Sequence, residues 1–260
     1  TPLGKIVIAR SKDSGYIELS GPGSKHQLES IINKIREFYS GIILIDGALD
    51  RSSLSSPAVT EATILATGAE IANDIDSIKS KINYQVELFN LQSSDDHKLI
   101  ASLADADEDS KVIIIDDSYN LRSLPLKTAI NNMKNIIGKI KDNTKAIFFN
   151  GAIVNQTIKE LMNNLNNIND LEIIVQDSTH LFLDPLVYKR FLNKGGRITV
   201  LNEIKILAVT VNPFSTSGSY LDPVKLLEET AKTIKPIPCY EIVLYKKITG
   251  EGVENIEVLR

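Results

Sequence analysis

The sequence predicts an α/β protein in which a mostly parallel sheet carries helices on both faces, a three-layer architecture that is Rossmann-like in the broad sense. Two observations predict it. Runs such as IILI (Ile42–Ile45), VIII (Val112–Ile115) and LEIIV (Leu171–Val175) are apolar at successive positions, as in strands covered on both faces. Between them lie segments whose apolar residues recur every three or four positions, the spacing of a helix that buries one side. Such alternation makes βαβ units with right-handed crossovers.

Taken in order, Lys5–Ala9 and Tyr16–Leu19 read as a hairpin around Ser14-Gly15. A helix follows from Ser24 to about Tyr39, with Leu28, Ile31, Ile32, Ile35 and Phe38 on one side. Ile42–Asp46 is the first buried strand. Ser56 then stands as an N-cap with Pro57 at the first helical position. The helix they open carries Ile64, Ile71, Ile75 and Ile78, and a surface of small residues at Ala62, Ala66, Gly68 and Ala69. The acidic segment ADADEDSK, Ala104–Lys111, is a solvated connector and the one internal boundary expected in a single domain spanning residues 1–260. Beyond it come a strand at Val112–Asp116, a helix from about Leu126 to Ile140, a strand at Ala146–Phe149 and a helix near Asn155–Leu165. A strand at Leu171–Val175, a short helix near Pro185–Leu192, strands at Arg197–Val200 and Lys205–Val211, a helix from Pro223 to about Ile234 and a last strand at Tyr240–Tyr245 complete the series. The chain starts at Thr1 without Met and runs at once into KIVIAR, so it is expected to be the C-terminal part of a longer protein.

Composition excludes several classes. With 43% hydrophobic and 24% charged residues, and no apolar run near the ~20 residues of a membrane span, a cytoplasmic soluble protein is expected. A net charge of -4, with lysines interleaved among acids, argues against general nucleic-acid binding, which needs clustered cations. Cys239 has no partner for an intrachain disulfide, and with His26, His97 and His180 it offers no zinc-site spacing. No metal is expected.

In an open parallel sheet, ligands bind outside the carboxyl ends of the strands. Here those ends carry Asp46-Gly47, Asp116-Asp117, Asn150-Gly151, Asp177 with His180, and Asn212 with Ser215. One shared sheet would place Asp46, Asp116, Asn150, Asp177 and Asn212 on one rim. Asp and Asn at strand ends also bond loop backbone and cap helices with no ligand involved, so both readings stand. The loop Gly47–Ser56 spends ten residues where a strand-to-helix connection needs ~2 to 6. Its Asp50, Arg51 and Ser52 therefore read as a binding determinant, with Arg51 either held by a neighbouring carboxylate or presented to an anionic partner. The turn Gly21, Gly23, Ser24, Lys25 is a second candidate, for an anion at a helix N-terminus, although a Ser N-cap explains the same residues. GxSxG, HExxH, P-loop and GxGxxG patterns are absent.

The segments IDGALDRSSLSSPAVTEATILATGAE (Ile45–Glu70) and VTVNPFSTSGSYLDP (Val209–Pro223) resemble the non-ATPase subunit family of lysine 5,6-aminomutase reactivases. The resemblance implies an accessory protein of amino-acid-fermenting anaerobic bacteria, working with a separate MutS-like ATPase on an aminomutase. The adenosylcobalamin and pyridoxal phosphate would belong to that mutase, and this chain would hold no cofactor. Two other classes remain: a small-molecule enzyme or nucleotide- or anion-binding domain that uses the polar rim directly, and an oligomerisation module, a homo-oligomer being compatible with each.

Overall fold

A computed structural model describes residues 5–16, 21–22, 25–46, 56–104, 106, 110–126, 128, 132–249 and 252–256. The chain divides into two units, Thr1–Glu61 and Ala62–Arg260, and the Ala104–Lys111 connector lies within the second. In the first unit the expected helix forms as α1 (Lys25–Arg36). Leu28 and Ile32, one turn apart, are its buried residues, and Lys34 and Arg36 sit in the last turn, where the helix dipole favours cations. The remaining expectations for this unit are corrected. Residues 5–16 form no strand, and 17–20 lie outside the described residues. Residues 42–46 are not a strand either, with Ile42 82% and Leu44 86% exposed. An apolar run becomes a strand only where a neighbouring strand satisfies its backbone groups.

In the second unit the chain order is β1 (Thr63–Gly68), α2 (Ile75–Phe89), α3 (His97–Ala104), β2 (Val112–Asp116), β3 (Leu121–Leu124), α4 (Met133–Ile137), β4 (Thr144–Phe149), β5 (Ile153–Val154) and α5 (Asn155–Asn164). It continues with β6 (Glu172–Val175), a 3-10 turn at Ser178–His180, β7 (Leu181–Phe182), α6 (Pro185–Asn193), β8 (Arg197–Val200), β9 (Ile206–Asn212), α7 (Pro223–Thr233), β10 (Cys239–Glu241), β11 (Lys246–Thr249) and β12 (Gly252–Asn255). The protein is thus mixed α/β, but it has two mixed sheets where one was expected. The first runs β1-β9-β10-β11-β12 and the second β3-β2-β4-β6-β8, with β5 and β7 as a small parallel ribbon.

The helix expected from Ser56 starts instead at Ile75. Val59 and Thr60 donate to the Ser56 carbonyl in a turn, and TILATG forms β1, parallel to β9. Thr63, Ile64 and Thr67 are β-branched, and Gly68 takes φ 150, a conformation that suits a strand end and not a helix interior. The helix N-cap is Asp74, whose Oδ1 accepts the Ser77 amide at 2.8 Å.

The apolar runs of β2, β4 and β6, the central strands of the second sheet, are buried as their sequence predicts. Val112, Ile114, Ile147, Phe149, Ile173 and Val175 pack into a core with α5 and α6. Ile113, Ile115, Ala146, Phe148 and Ile174 point the other way, against Leu99 and Leu103 of α3. Successive apolar positions are therefore buried on opposite faces. The first sheet builds its core from Val209, Val211 and Cys239 with α7 and with Ile78, Ile82 and Val86 of α2. Leu88 and Phe89, at the other end of α2, belong to the core of the second sheet, so this helix ties the two together.

Strand direction departs from expectation at one place. β2 is antiparallel to β4, whereas β4, β6 and β8 are mutually parallel. The cause is β3, a hairpin partner of β2 that the exposed sequence LRSL did not reveal. Reversing the chain once before α4 makes α4 carry the crossover from β3 to β4, which flank β2 on either side.

Candidate functional site

Of the five residues expected on one rim, the four in the second unit, Asp116, Asn150, Asp177 and Asn212, do not share one edge. Asp116 ends β2 opposite Thr144, at the start of β4, while Asn150 follows the far end of β4, where its amide donates to the Lys111 carbonyl. Asp116 and Asn150 are thus at opposite ends of the second sheet. Asn212 ends β9 in the first sheet. Asp46 is an exposed residue of the first unit. Gly47, Asp50, Arg51 and Ser52 lie outside the described residues, as do Gly23 and Ser24 of the possible anion turn, while Gly21 is exposed and Lys25 opens α1.

What the fold does assemble are three separate clusters. At the hairpin end of β2, Asp116 accepts the amides of Ser118 at 3.0 Å and Asn120 at 2.9 Å, and Asn120 Nδ2 reaches both its oxygens. Its carboxyl is held below the ordinary value by Asn120 above all. Asp117 accepts the Ser118 hydroxyl at 3.3 Å. This is the loop-satisfying role of strand-end carboxylates. Beside it stand residues that the sequence did not single out: Tyr119 (φ 65), Lys145 and Asp96. The Tyr119 hydroxyl donates to Asp96 at 3.0 Å, Lys145 Nζ donates to Tyr119 Oη at 3.2 Å and contacts Asp96, and the ammonium lies 4.7 Å from the ring centroid.

The second cluster is the carboxyl edge of β4 and β6. These strands are parallel with Phe149 opposite Val175, so Asn150-Gly151 and Gln176-Asp177 emerge side by side. Asp177 is 1% exposed; its Oδ1 accepts the Thr179 amide at 3.0 Å, contacts the Thr179 hydroxyl and lies 3.2 Å from His180 Nδ1. A Cβ at Gly151 would meet nothing within 4 Å. The two chains then pair as β5 and β7, and Asn155 and Asp184 at the starts of α5 and α6 exchange bonds of 2.6 and 2.8 Å.

The third cluster is the carboxyl edge of β1, β9 and β10. Asn212 Oδ1 accepts the Phe214 amide at 2.9 Å, and its carbonyl accepts Ala69 N at 2.9 Å. Residues 213–221 form a small hairpin: Leu221 N donates to Pro213 O and Ser215 N to Ser219 O, each at 3.0 Å, and Gly218 turns at φ 90. Ser215 Oγ meets Ser217 Oγ at 2.7 Å. Glu70 pins the hairpin by accepting the Thr216 amide at 2.8 Å and its hydroxyl at 2.9 Å. Those bonds, with one from Ser215, hold the Glu70 carboxyl below its ordinary value. Phe214 and Tyr220 face each other with ring centroids 4.7 Å apart and remain 48% and 57% exposed. After β10, Ile242 to Tyr245 are apolar and exposed, fixed at their start by Glu241, whose buried carboxylate accepts the amides of Val243 and Leu244 at 2.8 and 2.7 Å.

The sequence hid Glu70 and this hairpin for one reason. Reading residues 56–78 as helix placed Glu70 mid-helix, when it follows the end of β1. Among the described residues there is no group of three or more His, Cys, Asp or Glu arranged to hold a metal, and no helix is long and apolar enough to cross a membrane. Comparison with protein-family models, with curated proteins and with solved structures finds no match.

Proposed function

We propose that this chain is a binding subunit that works through its surfaces on a partner protein, rather than through an acid–base or nucleophilic set of its own. The observation that carries this reading is how the strand-end polar groups are spent. Asp116, Asp177, Asn212 and Glu70 each bond their own or a neighbouring loop. Meanwhile the carboxyl edge of the first sheet displays half-exposed aromatic and aliphatic side chains, the groups that anchor protein interfaces. The resemblance of Ile45–Glu70 and Val209–Pro223 to the reactivase non-ATPase subunit names the class of partner: a MutS-like ATPase and an adenosylcobalamin-dependent aminomutase. In that setting, binding and conformational coupling suffice, and ATP hydrolysis resides in the partner.

The test is a titration of the purified chain against a purified MutS-like ATPase subunit and against the aminomutase, followed by an assay for recovery of inactivated mutase. Formation of a stoichiometric complex and ATP-dependent recovery are expected. Absence of binding to both proteins at micromolar concentrations refutes the reading. A second reading, a small-molecule site at the edge of β4 and β6, draws on the Asp177–His180 contact of 3.2 Å, since a histidine oriented by a carboxylate is a usable general base. Ligand-induced stabilisation that is abolished in His180→Ala would favour it.

A further inference from the structure

The hairpin 213–221 combines three properties that point to one kind of occupant. First, it is held in place before any partner arrives. The Phe214–Tyr220 bridge, the Ser215–Ser219 bond and the Glu70 and Asn73 contacts to Thr216 and Ser219 fix it on the β1–α2 loop. Little ordering cost is left to offset affinity. Second, it offers two large rings at a tilt of 39° with about half of each in solvent. Aromatic pairs so placed supply both contact area and an electron-rich face that attracts ammonium and guanidinium groups. Third, the two segments that make this edge carry carboxylates and no base of their own. The segments 69–76 and 212–222 contain Glu70, Asp74, Asp76 and Asp222 and no lysine or arginine, with Asp76, in the first turn of α2, paired to Lys79 at 3.4 Å.

Of the bases on α2, Lys79 bonds Asp76 at 3.4 Å and Glu229 at 2.8 Å, and Lys81 gives its ammonium to the Ile71 carbonyl at 2.7 Å and stands beside Asp74. Glu70 and Asp74 are both held in their charged form by the amides and hydroxyls they accept. An acidic partner would meet the carboxylates of Glu70, Asp74 and Asp222 here, whereas a basic one finds complementary charge beside an aromatic centre.

We propose that Phe214 and Tyr220, with Glu70 and Asp74 on the adjoining β1–α2 loop, form the docking surface for a segment of the partner protein that carries arginine or lysine beside apolar residues. The proposal rests on the binding-subunit reading and gives that subunit a specific contact.

A short fluorescein-labelled peptide of alternating arginine and leucine, and its glutamate and leucine counterpart, test the chemistry by fluorescence polarisation. The wild-type chain is expected to bind the basic peptide, more weakly as salt rises, and not the acidic one. Phe214→Ala and Tyr220→Ala are each expected to lower that affinity roughly tenfold, and Phe214→Leu to retain more of it. Thermal melting of all three variants separates loss of the surface from loss of the fold. Equal binding of both peptides, no binding of either, or full binding by melting-competent alanine variants overturns the proposal. The same variants titrated against the MutS-like ATPase keep the two claims apart. A wild-type complex that survives both alanine changes leaves the subunit reading standing and removes this surface. A basic-peptide site in a chain that binds neither partner does the reverse.

Discussion

Asp96 holds the start of α3 to two other parts of the second sheet, and replacing it separates two contributions that the structure superposes. Its Oδ1 accepts the amides of Lys98 and Leu99, each at 3.1 Å, so it is the N-cap of α3. Its Oδ2 takes the Tyr119 hydroxyl and the Lys145 ammonium. Asparagine caps a helix about as well as aspartate but carries no charge. Asp96→Asn should therefore keep the cap but lose the bond accepted from Tyr119, because an amide nitrogen in place of Oδ2 only donates, and the pairing with Lys145, worth ~0.5–1 kcal/mol for side chains that remain 22% and 28% exposed. Asp96→Ala loses the cap as well, a further ~1 kcal/mol. For a unit of this size, each kcal/mol lowers Tm by about 2–4 °C, so melting followed by circular dichroism resolves the order wild type, then Asn, then Ala. The pH dependence supplies an independent check. Lys145 first, then the Leu99 amide and Tyr119, hold the Asp96 carboxyl down to about 2 from 3.8. A depressed folded-state value stabilises the protein above the unfolded value, and that stability is lost as pH falls through the folded one. The full shift corresponds to ~2.4 kcal/mol, of which solvent screening leaves about 1 kcal/mol. The gap between wild type and Asp96→Asn should accordingly be constant above about pH 5 and close between pH 4 and pH 2. Equal destabilisation by Asn and Ala at neutral pH, or a gap that persists at pH 2, refutes the charge-pair argument.

Two further outcomes follow from the first sheet. Gly68→Ala places a Cβ 2.0 Å from the Asn212 carbonyl oxygen at φ 150, a backbone clash that no side-chain rotation relieves. It should cost about 1–3 kcal/mol or more, read as a Tm loss of several degrees, and an unchanged melt would contradict the close approach of β1 to β9. Cys239 is buried, and burial pushes its thiol up to about 12. A thiol reagent at pH 8 should leave it unmodified in the native protein and label it fully in denaturant; rapid native labelling would show that β10 opens.

The sequence made the second sheet legible and its direction illegible, and the two facts have one origin. Burial on both faces of β2, β4 and β6 is written into VIII, AIFF and IIV, because each of these residues must be apolar whichever way the strand runs. Direction is written nowhere in those letters; it depends on what lies between them. The edge strand β3 has only Leu124 buried, so it carries no hydrophobic signature, yet its presence turns β4 around relative to β2. With that single reversal Asp116 leaves the company of Asn150, and the expected rim dissolves even though the strands that defined it are real. A similar substitution of one element for another governs the first sheet. Residues 64–78 satisfy a helical spacing through Ile64, Ile71, Ile75 and Ile78, but only Ile78 of these is fully buried, while Ile64 is 54% exposed in β1. The competing signals were the β-branched residues and the late Asp74-x-x-Ser77 cap, both local and both stronger than a period sampled at wide intervals. The consequence reaches the site itself. Once residues 63–68 are a strand, Glu70 emerges at a carboxyl edge beside Thr216, and the polar letters of NPFSTSGSYLD become the backbone-satisfying frame of a hairpin. What that frame presents to solvent is the aromatic pair, so the functional weight of this edge moves from its hydroxyls and carboxylates to Phe214 and Tyr220.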